Sequence, residues 1–172
     1  DFLNLANFLN PKFVFNLSLV AENHYFNGEY KKAKEILKNF KKEDNFYYWY
    51  RVKKEAQIIA KQRNKKESLN YITAEFNKII KPNNKILLDI GNFYKNSKNY
   101  EKAIRYYTKV IDSLDDKSLI KSDLLYRRGG SYERIGEFEK ADKDLLNSLK
   151  INPDDAYVLN YLAYSWLERD LK

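Results

Sequence analysis

The sequence predicts an all-α fold built from a repeated unit. One phrase recurs along the 172 residues, as GEYKKAKEIL at 28–37, NYEKAIRYY at 99–107 and GEFEKADKDLL at 136–146. Each phrase has a small residue at the same place, and we call these residues anchors: Ala33, Ala103 and Ala141. A fourth anchor, Ser68, lies between the first two phrases. The anchors are 35, 35 and 38 residues apart, and the apolar residues between them recur with helical periodicity.

Positions around the anchors repeat in the same register. Nine residues before the anchors stand His24, Ile59, Tyr94 and Tyr132, and three residues further back stand the small residues Ala21, Ala56, Gly91 and Gly129. Four residues after the anchors stand the large residues Leu37, Ile72, Tyr107 and Leu145. Small residues let a neighbouring helix come close and large ones fill the remaining gaps. The pattern therefore predicts helices that pack against one another along the chain.

This pattern resembles the tetratricopeptide repeat, a unit of about 34 residues. The repeat around Ala103 reads LLDIGNFY and then AIRYY. The repeat around Ala141 reads LYRRGGSY and then ADKDL, with Pro153 where a helix must stop. The resemblance implies a right-handed α-solenoid of antiparallel helix pairs, called A and B. Gly28 and Gly136 would lie in the turns between A and B, where a left-handed backbone favours glycine.

The resemblance divides the chain into about four repeats with an orphan helix at each end. We expect the end of a preceding helix B at 1–11, repeats at 14–47, 49–82, 84–117 and 122–155, and helix A of a following repeat at 156–172. Both ends are cut within a repeat, so we expect a fragment of a longer chain whose open ends can self-associate. The wide spacing before the last repeat implies about four extra residues near SLDDKSLIKSD, in a loop or a helix.

The second repeat departs from the family pattern. Glu55 stands where a leucine is expected and Glu75 where a small residue is expected, and Lys65 replaces the aromatic residue of the recurring phrase. The spacing still holds, and VKKEAQIIAKQ and SLNYITAEFNKII keep helical periodicity. We therefore expect a helix pair here as well.

No motif in the sequence predicts catalysis, a cofactor or a metal site. The chain has no cysteine and one histidine, which argues against zinc ligation, and we expect His24 to be packed or partly exposed. The glycine pair at 129–130 lies within a helix-A pattern, so it does not form a phosphate loop. The acidic pairs at 115–116 and 154–155 precede helices, so we expect them to cap helix N-termini or to be solvated, and not to bind a metal or act in acid–base chemistry. We predict that the protein is not an enzyme and needs no cofactor.

Tetratricopeptide proteins generally bind partners in a concave groove lined by helix A, at the second, fifth, ninth and twelfth positions of each repeat. The resemblance therefore implies a non-catalytic scaffold that binds a peptide or helix of a partner protein. The candidate partner-binding residues are Phe15, Glu22, Tyr25, Tyr50, Lys53, Gln57, Lys85, Asn92, Lys95, Tyr126, Glu133, Tyr157 and Tyr164. The same rule places Ser18, Leu88, Asp123, Gly130 and Asn160 in the groove. The lysines favour an acidic peptide, although Asp89 and Asp123 exclude the family's clamp for tails that end in two carboxylates.

The formal net charge of +8 is concentrated in residues 31–85, which alone carry +10. This basic block contains Tyr47, Tyr48, Trp49 and Tyr50, which suggests as an alternative that it binds nucleic acid, an anionic membrane surface or an acidic protein. The sequence argues against nucleic acid, because it contains no nucleic-acid-binding motif and lysine-rich faces are usually solvated. A passive spacer within a larger protein is a third hypothesis.

The terminal phrase NPDDAYVLNYLAYSWLERD resembles a phrase of long exported tetratricopeptide-repeat proteins of proteobacteria. It favours a bacterial source, and a periplasmic or membrane-attached parent protein over a cytoplasmic one. The absence of cysteine leaves the compartment open. No stretch approaches the 18 consecutive apolar residues that indicate a transmembrane helix.

Overall fold

The computed structural model describes residues 5, 8–10 and 13–169. Over these residues it contains helices and no strands, which confirms the predicted all-α fold. The helices between residues 14 and 168 are α1 (Val14–Phe26), α2 (Tyr30–Leu37), α3 (Asn45–Gln62), α4 (Lys65–Phe76), α5 (Asn84–Asn96), α6 (Tyr100–Ile111), α7 (Leu119–Arg134), α8 (Phe138–Ile151) and α9 (Ala156–Glu168).

The helices form two compact units, Asp1–Lys81 and Pro82–Lys172. In the N-terminal unit, α1 packs on α2 and α3 packs on α4. In the C-terminal unit, α5 packs on α6, α7 packs on α8, and α9 packs on α8. Turns of two or three residues join the helices of each pair, so the two helices run antiparallel. The helix-A positions fall on α1, α3, α5, α7 and α9, and the helix-B positions on α2, α4, α6 and α8.

Left-handed residues close three of the turns between A and B. Gly28 (φ 74°) and Gly136 (φ 78°) have the left-handed backbone that the sequence predicts for them. Lys98 (φ 59°) holds the equivalent position after α5. In each of these turns a backbone N–H reaches back five residues, as from Asn99 to the oxygen of Tyr94 (2.9 Å), which ends helix A in a Schellman motif. Lys98 therefore adopts a conformation that favours glycine.

The four anchor residues are buried at helix contacts, as the pattern predicts. Ala33, Ala103 and Ala141 are fully buried. The anchor of the second repeat is a serine, and its Ser68 hydroxyl donates to the backbone oxygen of Ala56 at 2.7 Å. Because a buried hydroxyl without a partner is destabilising, this hydrogen bond explains how serine replaces alanine at the position.

Two glycines allow helices A and B to approach closely in the C-terminal unit. A Cβ atom on Gly91 would lie 3.0 Å from Cε1 of Tyr107, and one on Gly129 would lie 3.2 Å from the backbone oxygen of Ala141. Both distances are shorter than ordinary van der Waals contacts. The short distance between helices A and B therefore explains why these positions of the repeat pattern hold small residues.

The divergent second repeat replaces apolar contacts with hydrogen bonds between α3 and α4. The side chains of Glu55 and Glu75 are largely buried. The Tyr71 hydroxyl donates to the Glu55 carboxylate, and the Tyr48 hydroxyl donates to the Glu75 carboxylate. Burial, reinforced by these carboxylates, raises the pKa of both tyrosines well above the usual range. The two glutamates fit the fold because each has a phenol as its donor.

The extra residues before the last repeat lengthen a helix. α7 begins at Leu119, three residues before the predicted start of that repeat at 122. It has 16 residues; among the other helices A, α1, α5 and α9 have 13 each and α3 has 18. At the other end of the repeat α8 ends at Ile151, two residues before Pro153.

The two acidic pairs have different roles. Asp155 caps α9, because its carboxylate accepts from the backbone N–H of Tyr157 at 3.1 Å, as predicted. The pair at 115–116 does not cap α7 but is exposed to solvent, which is the other role that the sequence predicts for it. Asp115 accepts from the backbone N–H of Lys117 at 2.8 Å within the loop. The residue at the N-cap position of α7 is Ser118.

Apolar side chains are exposed on the described residues near both chain ends. Of the segment 1–11, which we predict to end a helix B, the helical residues Leu5, Phe8 and Leu9 are described and exposed, and most of the rest lies outside the described residues. The exposed apolar and aromatic residues of α9 are Tyr157, Leu159, Tyr164 and Leu167. Across the described part of the chain, no helix combines the length and the hydropathy of a membrane span.

Candidate partner-binding surface

The candidate residues lie on α1, α3, α5, α7 and α9. Some of them line a pocket in the N-terminal unit, which we call the N-terminal pocket. Others line a pocket in the C-terminal unit, which we call the C-terminal pocket. The two pockets differ in how their charged groups are paired.

The N-terminal pocket has a volume of about 430 Å³ and lies between α1 and α3. Four candidate residues line it, namely Glu22, Tyr50, Lys53 and Gln57. The other lining residues are Ser18, Leu19 and Lys54. Since α1 and α3 are helices A of consecutive repeats, the pocket lies where the family resemblance places a groove.

The charges of the N-terminal pocket are paired with one another. The Glu22 carboxylate accepts from the Lys54 ammonium at 2.7 Å and from the Tyr50 hydroxyl at 3.0 Å. The Lys54 ammonium also lies 4.8 Å from the centroid of the Tyr25 ring, in a cation–π contact. Burial, followed by the hydrogen bond to Glu22, raises the pKa of Tyr50 well above the usual range. The pocket wall therefore holds a neutral, internally bonded pair.

Sequence reasoning selected Lys53 in this pocket and missed Lys54. The Lys54 side chain is 13% exposed and ion-paired, so it is a structural cation of the pocket wall. A signal for it is present, because Lys54 follows Tyr50 by four residues and the two share a helix face. The family's position rule does not include that face.

Two candidate residues of α1 do not line the N-terminal pocket. Phe15 is exposed and contacts the Phe13 ring, with centroids 6.2 Å apart. Tyr25 packs against Tyr30 of α2 at 5.9 Å. His24 is partly exposed, as predicted, and its Nδ1 lies 2.5 Å from a carboxylate oxygen at the start of α2. Tyr25 and His24 therefore support the α1–α2 turn.

The C-terminal pocket has a volume of about 260 Å³ and is lined from α5, α6, α7 and α9. It contains the candidate residues Lys95 and Tyr126, together with Gly130 from the same position rule. Its other lining residues are Asn96, Tyr100, Arg134 and Tyr161. The sequence did not predict these four, because the position rule selects residues on one face of each helix A. It does not include side chains that enter the pocket from other faces or from other helices.

Two tyrosines form one wall of the C-terminal pocket. The rings of Tyr126 and Tyr161 meet edge to face with centroids 5.6 Å apart. The Tyr161 hydroxyl donates to the candidate residue Glu133 at 3.0 Å, and Arg134 lies 3.5 Å from the same carboxylate. Burial, followed by the charge of Glu133, raises the pKa of Tyr161 well above the usual range. Glu133 is therefore engaged beside the pocket.

Lys95 is half-buried in the C-terminal pocket. Among the described residues it forms no hydrogen bond and no ion pair. Its charged neighbours are Arg127, Asp123 and Arg134, and burial together with the two guanidinium groups lowers the pKa of Lys95. Asp123 is already bonded to Arg127 Nε at 2.8 Å. The Lys95 ammonium group thus lies near two guanidinium groups and has no carboxylate as an ion-pair partner among the described residues.

The remaining candidate residues are not brought into either pocket. Asn92 accepts from the Tyr107 hydroxyl of α6 at 2.8 Å, so it contributes to packing between helices A and B. Lys85 is exposed near the start of α5. Tyr157 and Tyr164 are 80% and 65% exposed on α9. They lie on the helix that the family resemblance leaves without a partner.

The aromatic residues beside the basic block are part of the core. Tyr48 and Trp49 are each 2% exposed, and the Trp49 ring lies 6.1 Å from that of Phe76 on α4. Tyr47 stacks on Phe40 with centroids 5.7 Å apart. Stacking on bases requires an accessible ring face, so Tyr48 and Trp49 cannot supply it.

A comparison with known protein families identifies two of the repeats. Residues 85–113 and 122–155 match the family model described as "Tetratricopeptide repeat". The chain is 28% identical over 160 residues to anaphase-promoting complex subunit 3 of Schizosaccharomyces pombe (strain 972 / ATCC 24843), a match that covers 91% of this chain and 23% of that protein. The chain therefore spans about a quarter of the length of this relative.

Two solved structures show the same fold. A tetratricopeptide repeat protein from Parabacteroides merdae ATCC 43184 has a TM-score of 0.69 at 21% identity, covering 91% of this chain and 60% of that one. YrrB, described as a TPR protein with an unusual peptide-binding site, has a TM-score of 0.60 at 17% identity, covering 93% of this chain and 79% of that one. The chain thus has the fold of a tetratricopeptide-repeat solenoid.

Proposed function

We propose that this chain of tetratricopeptide repeats is a non-catalytic scaffold that binds a peptide or helix of a partner protein along its A helices. One observation carries the proposal: in each unit a pocket opens beside helices A and is lined in part by residues that the position rule selects. The peptide-binding site of YrrB, which has the same fold, supports it. Six of the thirteen candidate residues line the pockets, and the other seven are proposed from the position rule alone.

The pockets suit side chains of a peptide. The first, of about 430 Å³, lies in the lower part of the range for small-molecule sites, and the second, of about 260 Å³, lies below that range. Tyr50 lines the first, and Tyr126 and Tyr161 line the second. Tyrosine offers a large contact area with few rotatable bonds and is enriched at protein interfaces. A peptide backbone crossing the A helices of a unit would place one or two side chains in its pocket.

Peptide binding is tested with an array of dodecapeptides probed by the purified chain. We expect specific peptides to bind, and we expect Lys53→Glu and Lys95→Glu to weaken the binding of peptides that use the respective pocket. Lys85→Glu tests the exposed start of α5 in the same way. Lys143→Glu, an exposed position on α8, is the matched control and should leave binding unchanged. Binding by none of the peptides, or unchanged binding by all three groove variants, would contradict the proposal.

The basic block at 31–85 supports a second candidate function, as a surface for an anionic membrane, an acidic protein or nucleic acid. Lys31, Lys41 and Lys61 are exposed there, and within the described chain no carboxylate pairs with them. Co-sedimentation with vesicles of anionic lipid, and gel shifts with a random oligonucleotide, at low and high salt test it. Salt-sensitive binding that is lost on neutralising these three lysines would establish the second function.

The remaining features of the protein stay proposals. The phrase at 152–170 favours a proteobacterial source and a periplasmic or membrane-attached parent protein, whereas the relative from Schizosaccharomyces pombe is fungal. Self-association through the exposed face of α9 is tested by light scattering of Tyr157→Ser and Tyr164→Ser variants. A negative outcome in all binding assays would favour the passive-spacer hypothesis.

A further inference from the structure

We propose that the C-terminal pocket receives the carboxylate of an acidic side chain of the bound peptide, with Lys95 as its counter-ion. The inference rests on the proposed function and adds the chemistry that this pocket recognises. It follows from three observations. Three hydrogen-bond donors in the pocket have no partner in the described chain, the pocket wall offers apolar surface, and the nearby carboxylates are already bonded to other side chains.

Three hydrogen-bond donors face the pocket without a partner in the described chain. Lys95, Asn96 and Tyr100 line it, and none of their side chains forms a hydrogen bond or ion pair with another described residue. An ammonium, an amide and a phenol hydroxyl together can donate to both oxygens of one carboxylate. The pocket therefore contains enough hydrogen-bond donors to bind one carboxylate.

The carboxylates near Lys95 are not available to it. Asp123 accepts from Arg127 Nε at 2.8 Å. Glu133 accepts from the Tyr161 hydroxyl at 3.0 Å and lies 3.5 Å from Arg134 Nε. A half-buried ammonium without a counter-ion is destabilising, and an anion from outside the chain would relieve this.

The wall of the pocket fits the aliphatic part of an acidic side chain. The edge-to-face rings of Tyr126 and Tyr161 offer apolar surface for methylene groups. Gly130 leaves the wall open, because a Cβ there would touch the Tyr161 hydroxyl oxygen at 3.4 Å. A volume of about 260 Å³ leaves space for one or two side chains.

A single carboxylate fits this pocket better than a polyanion. Asp123 and Glu133 lie beside the cations, and their charges would repel a phosphate backbone extended along the helices. A single carboxylate bound to Lys95 brings one negative charge near them, whereas a polyanion brings several. Charge complementarity therefore selects an acidic peptide segment as the occupant.

The test compares two dodecapeptide pools on the intact chain, identical except that Asp and Glu in one are Asn and Gln in the other. We expect the wild-type chain to bind the acidic pool more tightly. Lys95→Met should weaken this binding about tenfold or more, the effect of a charge-assisted hydrogen bond. Lys95→Arg should retain part of it, and Lys143→Met, on the exposed face of α8, should retain all of it.

Thermal melting separates loss of binding from loss of fold. Because Lys95→Met removes an unpaired, half-buried charge, we expect its melting temperature to equal or exceed that of the wild type. Binding of both pools equally well, or undiminished acidic binding by Lys95→Met, would overturn this inference and leave peptide binding intact. Competition by inorganic phosphate at concentrations where acetate has no effect would also overturn it. Failure to bind either pool would instead contradict the proposed function.

Discussion

Helices A contribute to both the N-terminal and the C-terminal pocket, but the two pockets differ in whether a lysine is paired with a carboxylate. In the first, Lys54 is paired with Glu22 at 2.7 Å and lies against the Tyr25 ring. In the second, Lys95 has no carboxylate partner among the described residues. A paired charge contributes to the fold of the free protein, whereas an unpaired one reduces stability until a ligand supplies its partner. If the proposed acidic peptide binds, the C-terminal pocket is the one that obtains its counter-ion from the partner.

The largest expected effect comes from breaking the pair in the N-terminal pocket. Glu22→Gln leaves the ammonium of Lys54, whose side chain is 13% exposed, without a counter-ion. We expect a loss of about 2 kcal/mol in the free energy of unfolding, measured by urea denaturation. The double variant Glu22→Gln/Lys54→Met should recover most of it, because no charge is left unpaired. An unchanged midpoint for Glu22→Gln would show that the pair does not stabilise the pocket.

A smaller effect distinguishes two adjacent glycines of α7. In Gly129→Ala the new Cβ would lie 3.2 Å from the Ala141 oxygen and 3.1 Å from Leu145 Cγ, so we expect a loss of about 1–2 kcal/mol in the free energy of unfolding. In Gly130→Ala the nearest atom is the Tyr161 hydroxyl oxygen at 3.4 Å, and the gain in helix propensity should stabilise the chain by up to about 1 kcal/mol.

The second substitution also fills the wall of the C-terminal pocket without changing its charges. If that pocket binds a side chain, Gly130→Ala should weaken acidic-peptide binding while raising the melting temperature. Improved stability with undiminished binding would show that the ligand does not contact this wall.

The pockets should also respond differently to alkaline pH. Burial lowers the pKa of Lys95, so its charge, and with it acidic-peptide binding, should be lost below the usual lysine range near pH ~10.4. Fluorescence anisotropy against pH measures this, and Lys95→Met should lack the transition. The unfolded chain holds that proton more tightly than the folded one, so Lys95 contributes to a rise in stability with pH in the same window.

Tyr50 of the N-terminal pocket changes stability with pH in the opposite direction. Burial raises the pKa of Tyr50, so the unfolded chain releases this proton first. Its contribution is present below about pH 10 and is lost as the pH rises above that value. Urea denaturation across this pH range should therefore show a fall in stability that is reduced in Tyr50→Phe. The same fall in the variant would assign it to the other buried tyrosines.

The smallest expected effect concerns the turns that end helix A in the two units. Gly28 closes the first turn with a positive φ, whereas Lys98 does so next to the C-terminal pocket. Lys98→Gly should relieve the left-handed strain and raise the free energy of unfolding by about 0.5–1 kcal/mol. Gly28→Lys is the reciprocal variant and should lower it by a similar amount. Equal stability of all three chains would show that neither turn is strained.

The repeated part of the fold was predictable because it is set by local sterics. Gly91 and Gly129 are small since a Cβ would meet the facing helix, and Gly28 and Gly136 have the positive φ that their turns require. These constraints recur from repeat to repeat, so they appear as a period in the sequence. The longer α7 was only partly predictable, because spacing shows that residues are added but not whether they extend a helix or a loop.

The candidate site was less predictable because it depends on contacts between helices. The position rule selected Asn92, but the Tyr107 hydroxyl of the next helix bonds to it. It missed Tyr161, which reaches Glu133 of α7 from α9. Neither pairing leaves a periodic signal, since each joins side chains whose rotamers are chosen by packing. The charge of a lysine can be read in the sequence, whereas its partner cannot.

The two phenol–carboxylate contacts of the second repeat limit how this array can be rearranged. Solenoids vary by duplication and exchange of units, and a unit can be cut wherever no obligatory contact crosses the cut. Tyr48 with Glu75 and Tyr71 with Glu55 join α3 to α4 in both directions. A chimaera that keeps 45–76 together preserves both contacts. One that is joined at the 63–64 turn removes the phenol donor from a largely buried glutamate, and leaves Glu55 with Arg51 at 3.3 Å or Glu75 with Lys78 at 2.6 Å as its cation. We therefore expect α3 and α4 to be inherited or transplanted as a pair.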